Sequence, residues 1–96
     1  HRFTGPNVTV QKGDTLVTIM GGDYPKAIRY ADQFGLRIVE TPLGGMRRSI
    51  DARTALATDT DWNRVTVHIC PGDVVDAQFR WRYVKAANSA CHRGTR

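Results

Sequence analysis

Alternation and helical spacing divide the chain into a few short elements. Residues 7–11 (NVTVQ) alternate, with Val8 and Val10 on one side, as a half-buried strand does. Lys12-Gly13-Asp14 is a turn signal, and residues 15–20 (TLVTIM) are rich in β-branched side chains, so the two runs predict a hairpin. Gly21-Gly22 then breaks the element. From Tyr24 to Phe34 the period changes. Ala27, Ile28, Ala31 and Phe34 recur at helical intervals, Asp23 is a good N-cap, Pro25 is tolerated in the first turn, and Gly35 is a suitable stop. Residues 36–40 (LRIVE) predict a strand, as do residues 63–70 (NRVTVHIC), where Val65, Val67 and Ile69 share a face. Pro71-Gly72-Asp73 predicts a turn. Residues 74–84 predict a final strand with Phe79, Trp81 and Tyr83 on one face and Arg80 and Arg82 on the other.

Residues 41–62 fit neither period. They hold Pro42, Gly44-Gly45, Arg47-Arg48 and the small polar run Thr58 to Asp61. A connection of this length is uncommon in a small domain unless it has a function. Ser49, Asp51 and the nearby alanines permit a short helix around 51–57. The element order predicts an α+β fold. One helix (about 24–34) would pack on a mostly antiparallel sheet of four to five strands, with a long loop over 41–62. Residues 1–96 are expected to form a single domain, ending in an irregular basic segment over 85–96.

Charge changes this picture by its position. The formal net charge is +5. All nine acids lie at or before Asp76, and residues 1–76 carry nine Lys and Arg, so that stretch sums to zero. The excess is Arg80, Arg82, Lys85, Arg93 and Arg96. A basic strip of Arg80, Arg82, Lys85 and Arg93 is therefore a candidate contact for an acidic partner, RNA included. The bland alternative is that the aromatic face of 79–83 is core and the arginines are merely solvated.

The chain begins with His1 and has two cysteines, Cys70 and Cys91. Together these fit a processed, secreted protein with one disulfide. The bridge would close a loop of about 20 residues, worth about 3 kcal/mol by chain entropy. No apolar run is long enough for a membrane span. His1, His68 and His92 lack metal-ligand spacing. His68 and Cys70 fall on one face of the expected strand, but no third group orients them as a nucleophilic pair. Glu40, His68 and the arginines are the side-chain types a ribonuclease uses, and Asn63-Arg64-Val65 resembles a strand start in the small fungal ribonucleases. The position of that family's late catalytic His falls near Phe79 or Arg80. No enzymatic activity is expected.

Two further resemblances concern binding. Residues 10–19 (VQKGDTLVTI) closely resemble the opening of a LysM domain, through Gly13-Asp14-Thr15-Leu16 and Ile19. Ala27-Ile28 and Asp32 then fit its second helix, so the resemblance covers residues 10–32 and implies chitin or peptidoglycan binding. Residues 27–44 and 59–75 resemble the potato inhibitor I family of serine-protease inhibitors, through Asp59, Trp62-Asn63-Arg64-Val65, Val67, Pro71-Gly72 and Val74-Val75. That resemblance implies an extended reactive loop. Ala57, Thr58, Asp59 and Thr60 would face the protease, with the Thr58-Asp59 bond presented and Arg64 bracing the loop from beneath. A loop already extended loses little entropy on binding. Arg47, Arg48 and Arg53 are rival contacts for a trypsin-like enzyme.

The leading expectation is thus a secreted, monomeric binding protein that inhibits a serine protease through residues 41–62. The alternatives are an effector or toxin-like domain that binds a host protein or RNA through the basic strip, and a LysM-like glycan binder. Neither a cofactor, a metal nor a membrane partner is expected.

Overall fold

The computed structural model describes residues 7–76, 78 and 81–86. The fold is α+β as expected, but among the described residues the strands form two antiparallel sheets of three rather than one sheet of four to five, and three α-helices are present rather than one. The chain divides into two compact units. One is Thr15–His68; the other combines the segments that precede and follow it in sequence.

In the split unit, β1 (Val8–Thr9) pairs antiparallel with β5 (Val74–Asp76), which pairs with β6 (Arg82–Val84). The expected alternation of Val8 and Val10 holds, and both are buried with Cys70 and Val75. The Pro71-Gly72-Asp73 turn is fixed from two sides. Val10 N–H donates to the Asp73 carbonyl and Gly72 N–H donates to the Val10 carbonyl, both at 2.8 Å. Gly72 has φ +94°, and a Cβ there would sit 3.2 Å from Ala86 Cβ, so the turn needs glycine. The Asp73 carboxylate is fully buried. Its Oδ2 accepts from Cys70 N–H at 2.9 Å and from the Tyr83 hydroxyl at 2.5 Å, and its Oδ1 accepts from Ala86 N–H at 2.8 Å. A buried carboxylate is tolerable only with such donors around it. The expected continuous strand over 74–84 is therefore two strands of a hairpin, and Trp81 before β6 has φ 48°. That break interrupts the single-strand alternation expected through Trp81 and Tyr83.

The second unit starts with a correction. Residues 15–20 do not return as a strand; α1 (Leu16–Ile19) is a helix. Thr15 caps it by accepting from Thr18 N–H at 3.1 Å, and Gly21 and Gly22 end it at φ 71° and 88°. Local capping here outweighs the β preference of Val and Ile. The helix α2 (Tyr24–Phe34) lies where its spacing predicts. Asp23 Oδ1 accepts from Lys26 N–H at 3.1 Å, and Gly35 at φ 66° closes the other end as Leu36 N–H donates to the Ala31 carbonyl at 2.8 Å. Its buried side includes Ala27, Ile28 and Ala31 as expected, and also Tyr24 and Tyr30.

Strand β2 (Ile38–Glu40) is central in the second sheet, between β3 (Arg48–Ile50) and β4 (Val65–Val67). The pairing aligns Ile38 with Ile50 and Val67, and Glu40 with Arg48 and Val65. The long loop expected over 41–62 is thus largely ordered structure. It holds β3 and the short helix α3 (Ala52–Ala55), which Asp51 caps through Thr54 N–H at 2.8 Å. The Thr54 hydrogen bonds hold the Asp51 carboxyl below the ordinary carboxylate range. A 3-10 turn, Trp62–Arg64, then leads into β4, so the strand expected over 63–70 is shorter. Within this unit α1 and α2 pack on β4, and α2 packs on α3.

Candidate functional site

A concave surface lies in the Thr15–His68 unit. It is a cleft of about 250 Å³ where α1, the start of α2, the 3-10 turn and β4 meet. Leu16, Val65 and Val67 form its buried apolar floor, and Thr15, Asn63 and Thr66 bring polar groups. Trp62 and Tyr24 form its aromatic wall.

Each part of that wall is held by local chemistry. Tyr24 opens α2 directly after the Asp23 cap and is buried. Its hydroxyl donates to the Ala55 carbonyl at 3.0 Å, which ties α2 to α3. Burial, with the Glu40 carboxylate adding to it, pushes the Tyr24 phenol above its ordinary value. Trp62 opens the 3-10 turn, which Asp61 caps by accepting from Asn63 N–H at 3.0 Å. The other Asp61 oxygen takes Arg64 Nε at 3.2 Å. The Trp62 and Tyr24 rings are stacked, with centroids 4.8 Å apart and planes 16° apart. Trp62 nevertheless stays 54% exposed. A large aromatic side chain in that state keeps contact surface for a ligand at little entropic cost, because the stack already fixes its rotamer. Trp62 and Asn63 also border a second, shallower hollow with Leu56, Thr58 and Thr60.

The reactive residues implied by the inhibitor resemblance take a different shape from the one it requires. Thr60 N–H donates to the Ala57 carbonyl at 3.1 Å, so Ala57, Thr58, Asp59 and Thr60 form a closed turn and not an extended segment. The Thr60 hydroxyl tightens it by donating to the Thr54 carbonyl at 2.6 Å. Arg64 engages Asp61 and does not reach under Thr58-Asp59. A closed turn cannot lie along a protease cleft as a strand without breaking these bonds.

The other candidates are dispersed. Arg48 Nη2 pairs with Glu40 at 2.7 Å, as their register predicts. Arg47 and Arg53 are exposed. Of the basic strip, Arg82 and Lys85 are exposed at β6, with Arg82 opposite Asp76 in the ladder; Arg80 and Arg93 lie outside the described residues. Cys70 is buried, and the pairing expected for it involves Cys91, which also lies outside them. Phe79 does too, while Tyr83 turns its hydroxyl to Asp73. Among the described residues no group of His, Cys, Asp and Glu is placed to hold a metal ion, and no helix is long and apolar enough to cross a membrane.

In the sequence Trp62 stands out only as part of the Trp62-Asn63-Arg64-Val65 motif. The available signal was a lone tryptophan among polar neighbours, Asp59-Thr60-Asp61 before it and Asn63-Arg64 after it. Compared with known protein families, characterised proteins and solved structures, the chain shows no significant match to any.

Proposed function

We propose that the protein is a secreted, non-catalytic binding domain whose ligand is a neutral glycan of N-acetylated amino sugars, held at the Trp62–Tyr24 cleft. The observation that carries the reading is the half-exposed Trp62 ring, pinned flat by its stack on Tyr24 at the cleft mouth. A pyranose ring has an apolar face of C–H groups and a rim of hydroxyls. The first matches an aromatic face, whose π cloud attracts C–H hydrogens. The second matches short polar groups set around the ring, here Thr15, Asn63 and Thr66.

The LysM resemblance supports the same ligand class. Thr15 and Leu16 of its Gly-Asp-Thr-Leu core line this cleft. Helix α1 begins at Leu16 of that core, and α2 comes next in the chain. Protease inhibition is less favoured, because Ala57–Thr60 forms a closed turn.

Co-sedimentation with insoluble chitin and with peptidoglycan tests the reading. The protein is expected in at least one pellet, and Trp62→Ala is expected in the supernatant. A wild-type protein that stays in solution with both polymers contradicts it.

A further inference from the structure

The two most exposed large apolar side chains among the described residues lie close together, away from the cleft lining. Leu43 is 83% exposed and Met46 is 88% exposed. Both sit in the connection between β2 and β3. Its tip is a tight turn, closed by Gly45 N–H donating to the Pro42 carbonyl at 3.0 Å, with Gly44 at φ 73°. The turn holds the two side chains outward on a short, defined protrusion. Residues 41–50 contain no acid and two arginines, Arg47 and Arg48. The nearest strand acid, Glu40, is engaged by Arg48.

We propose that this hairpin tip docks on an anionic lipid surface, with Leu43 and Met46 entering the interface and the exposed Arg47 meeting the phosphates. A protein partner fits the shape less well. Stable protein interfaces bury about 800 Å² on each side, and a two-residue convex tip offers far less. A bilayer interface is deformable and needs no complementary pocket. It rewards a small apolar insertion combined with basic residues at headgroup depth. The contact needs no spanning segment and does not depend on the glycan reading.

Sedimentation with vesicles tests it. The full chain is expected to pellet with phosphatidylglycerol–phosphatidylcholine vesicles, and much less with pure phosphatidylcholine or in high salt. The double variant Leu43→Ser/Met46→Ser should lower the partition coefficient at least about tenfold, with an unchanged circular dichroism spectrum because these side chains are exposed. Arg47→Gln should lower it about fivefold. Trp62→Ala should pellet like the wild type. A wild-type chain that remains in solution with anionic vesicles overturns the proposal. So does a double variant that pellets undiminished, which would move the contact to the basic C-terminal residues.

Discussion

Asp73 is the residue whose loss should cost the fold most. Asp73→Ala removes a fully buried carboxylate that accepts from Cys70 N–H, Ala86 N–H and the Tyr83 hydroxyl. Each donor left buried without a partner costs about 1–3 kcal/mol. Some relaxation and water entry will offset part of the sum, so the expected loss is about 3–5 kcal/mol. A chain of this size has a total stability of about 5–14 kcal/mol, so a large fraction is at stake. Urea unfolding followed by circular dichroism should show a midpoint lower by about 2 M. The series should be graded. Asp73→Asn keeps one oxygen for Cys70 and Tyr83 but turns an NH₂ toward Ala86 N–H, and should cost less than alanine. Tyr83→Phe removes one donor while those of Cys70 and Ala86 remain, and should cost about 1–2 kcal/mol. If Asp73→Ala unfolds within about 1 kcal/mol of wild type, the turn does not depend on this carboxylate and the reasoning fails.

Other consequences can be checked in the same way. Asp61→Ala removes the cap of the 3-10 turn that carries Trp62; it should cost about 1 kcal/mol of stability and weaken glycan binding in titration calorimetry, whereas unchanged binding would show that Trp62 needs no cap. Tyr24→Phe deletes the hydrogen bond to Ala55 and should cost about 1 kcal/mol at neutral pH. The raised phenol of Tyr24 also has a pH signature. Its stabilising effect is fully present below the ordinary tyrosine range and is lost as pH rises through the raised folded value. Stability should therefore fall at alkaline pH, and Tyr24→Phe should blunt that fall in pH-dependent urea melts. At the acid end, the lowered Asp51 carboxyl stabilises α3 above the ordinary carboxylate range, and this is lost as pH falls through its folded value; Asp51→Asn should reduce the acid sensitivity seen by far-ultraviolet circular dichroism.

Parts of the fold were legible because they rest on local chemistry. Helix α2 has a capping carboxylate, helical spacing and a left-handed glycine stop, and all three act within the element itself. The Pro71-Gly72-Asp73 turn and strand β2 were legible from residue type, although partners distant in sequence hold both in place. Residues 15–20 form a helix where a strand is expected because Val17, Thr18 and Ile19 favour strands in general, while Thr15 supplies a specific cap. Residues 48–50 gave no strand signal because β3 is a short edge strand with exposed residues, and only its pairing with β2 defines it. The cleft was least legible. The Trp62–Tyr24 stack joins positions far apart in sequence, and only the packing of α2 with α3 and β4 brings them together. The buried Asp73 illustrates the same limit: Tyr83 in β6 and Ala86 just beyond it reach the carboxylate from ten or more residues away in sequence.

Titration calorimetry with N-acetylglucosamine oligomers, comparing the wild-type chain with Trp62→Ala, tests the proposal that Trp62 makes the cleft a glycan site. The expected result is saturable binding that weakens at least about tenfold in the variant, a loss of about 1.4 kcal/mol or more, with unfolding midpoints that show both proteins folded. Equal affinity in the two proteins, or no binding heat from the wild type with any oligomer, would contradict it.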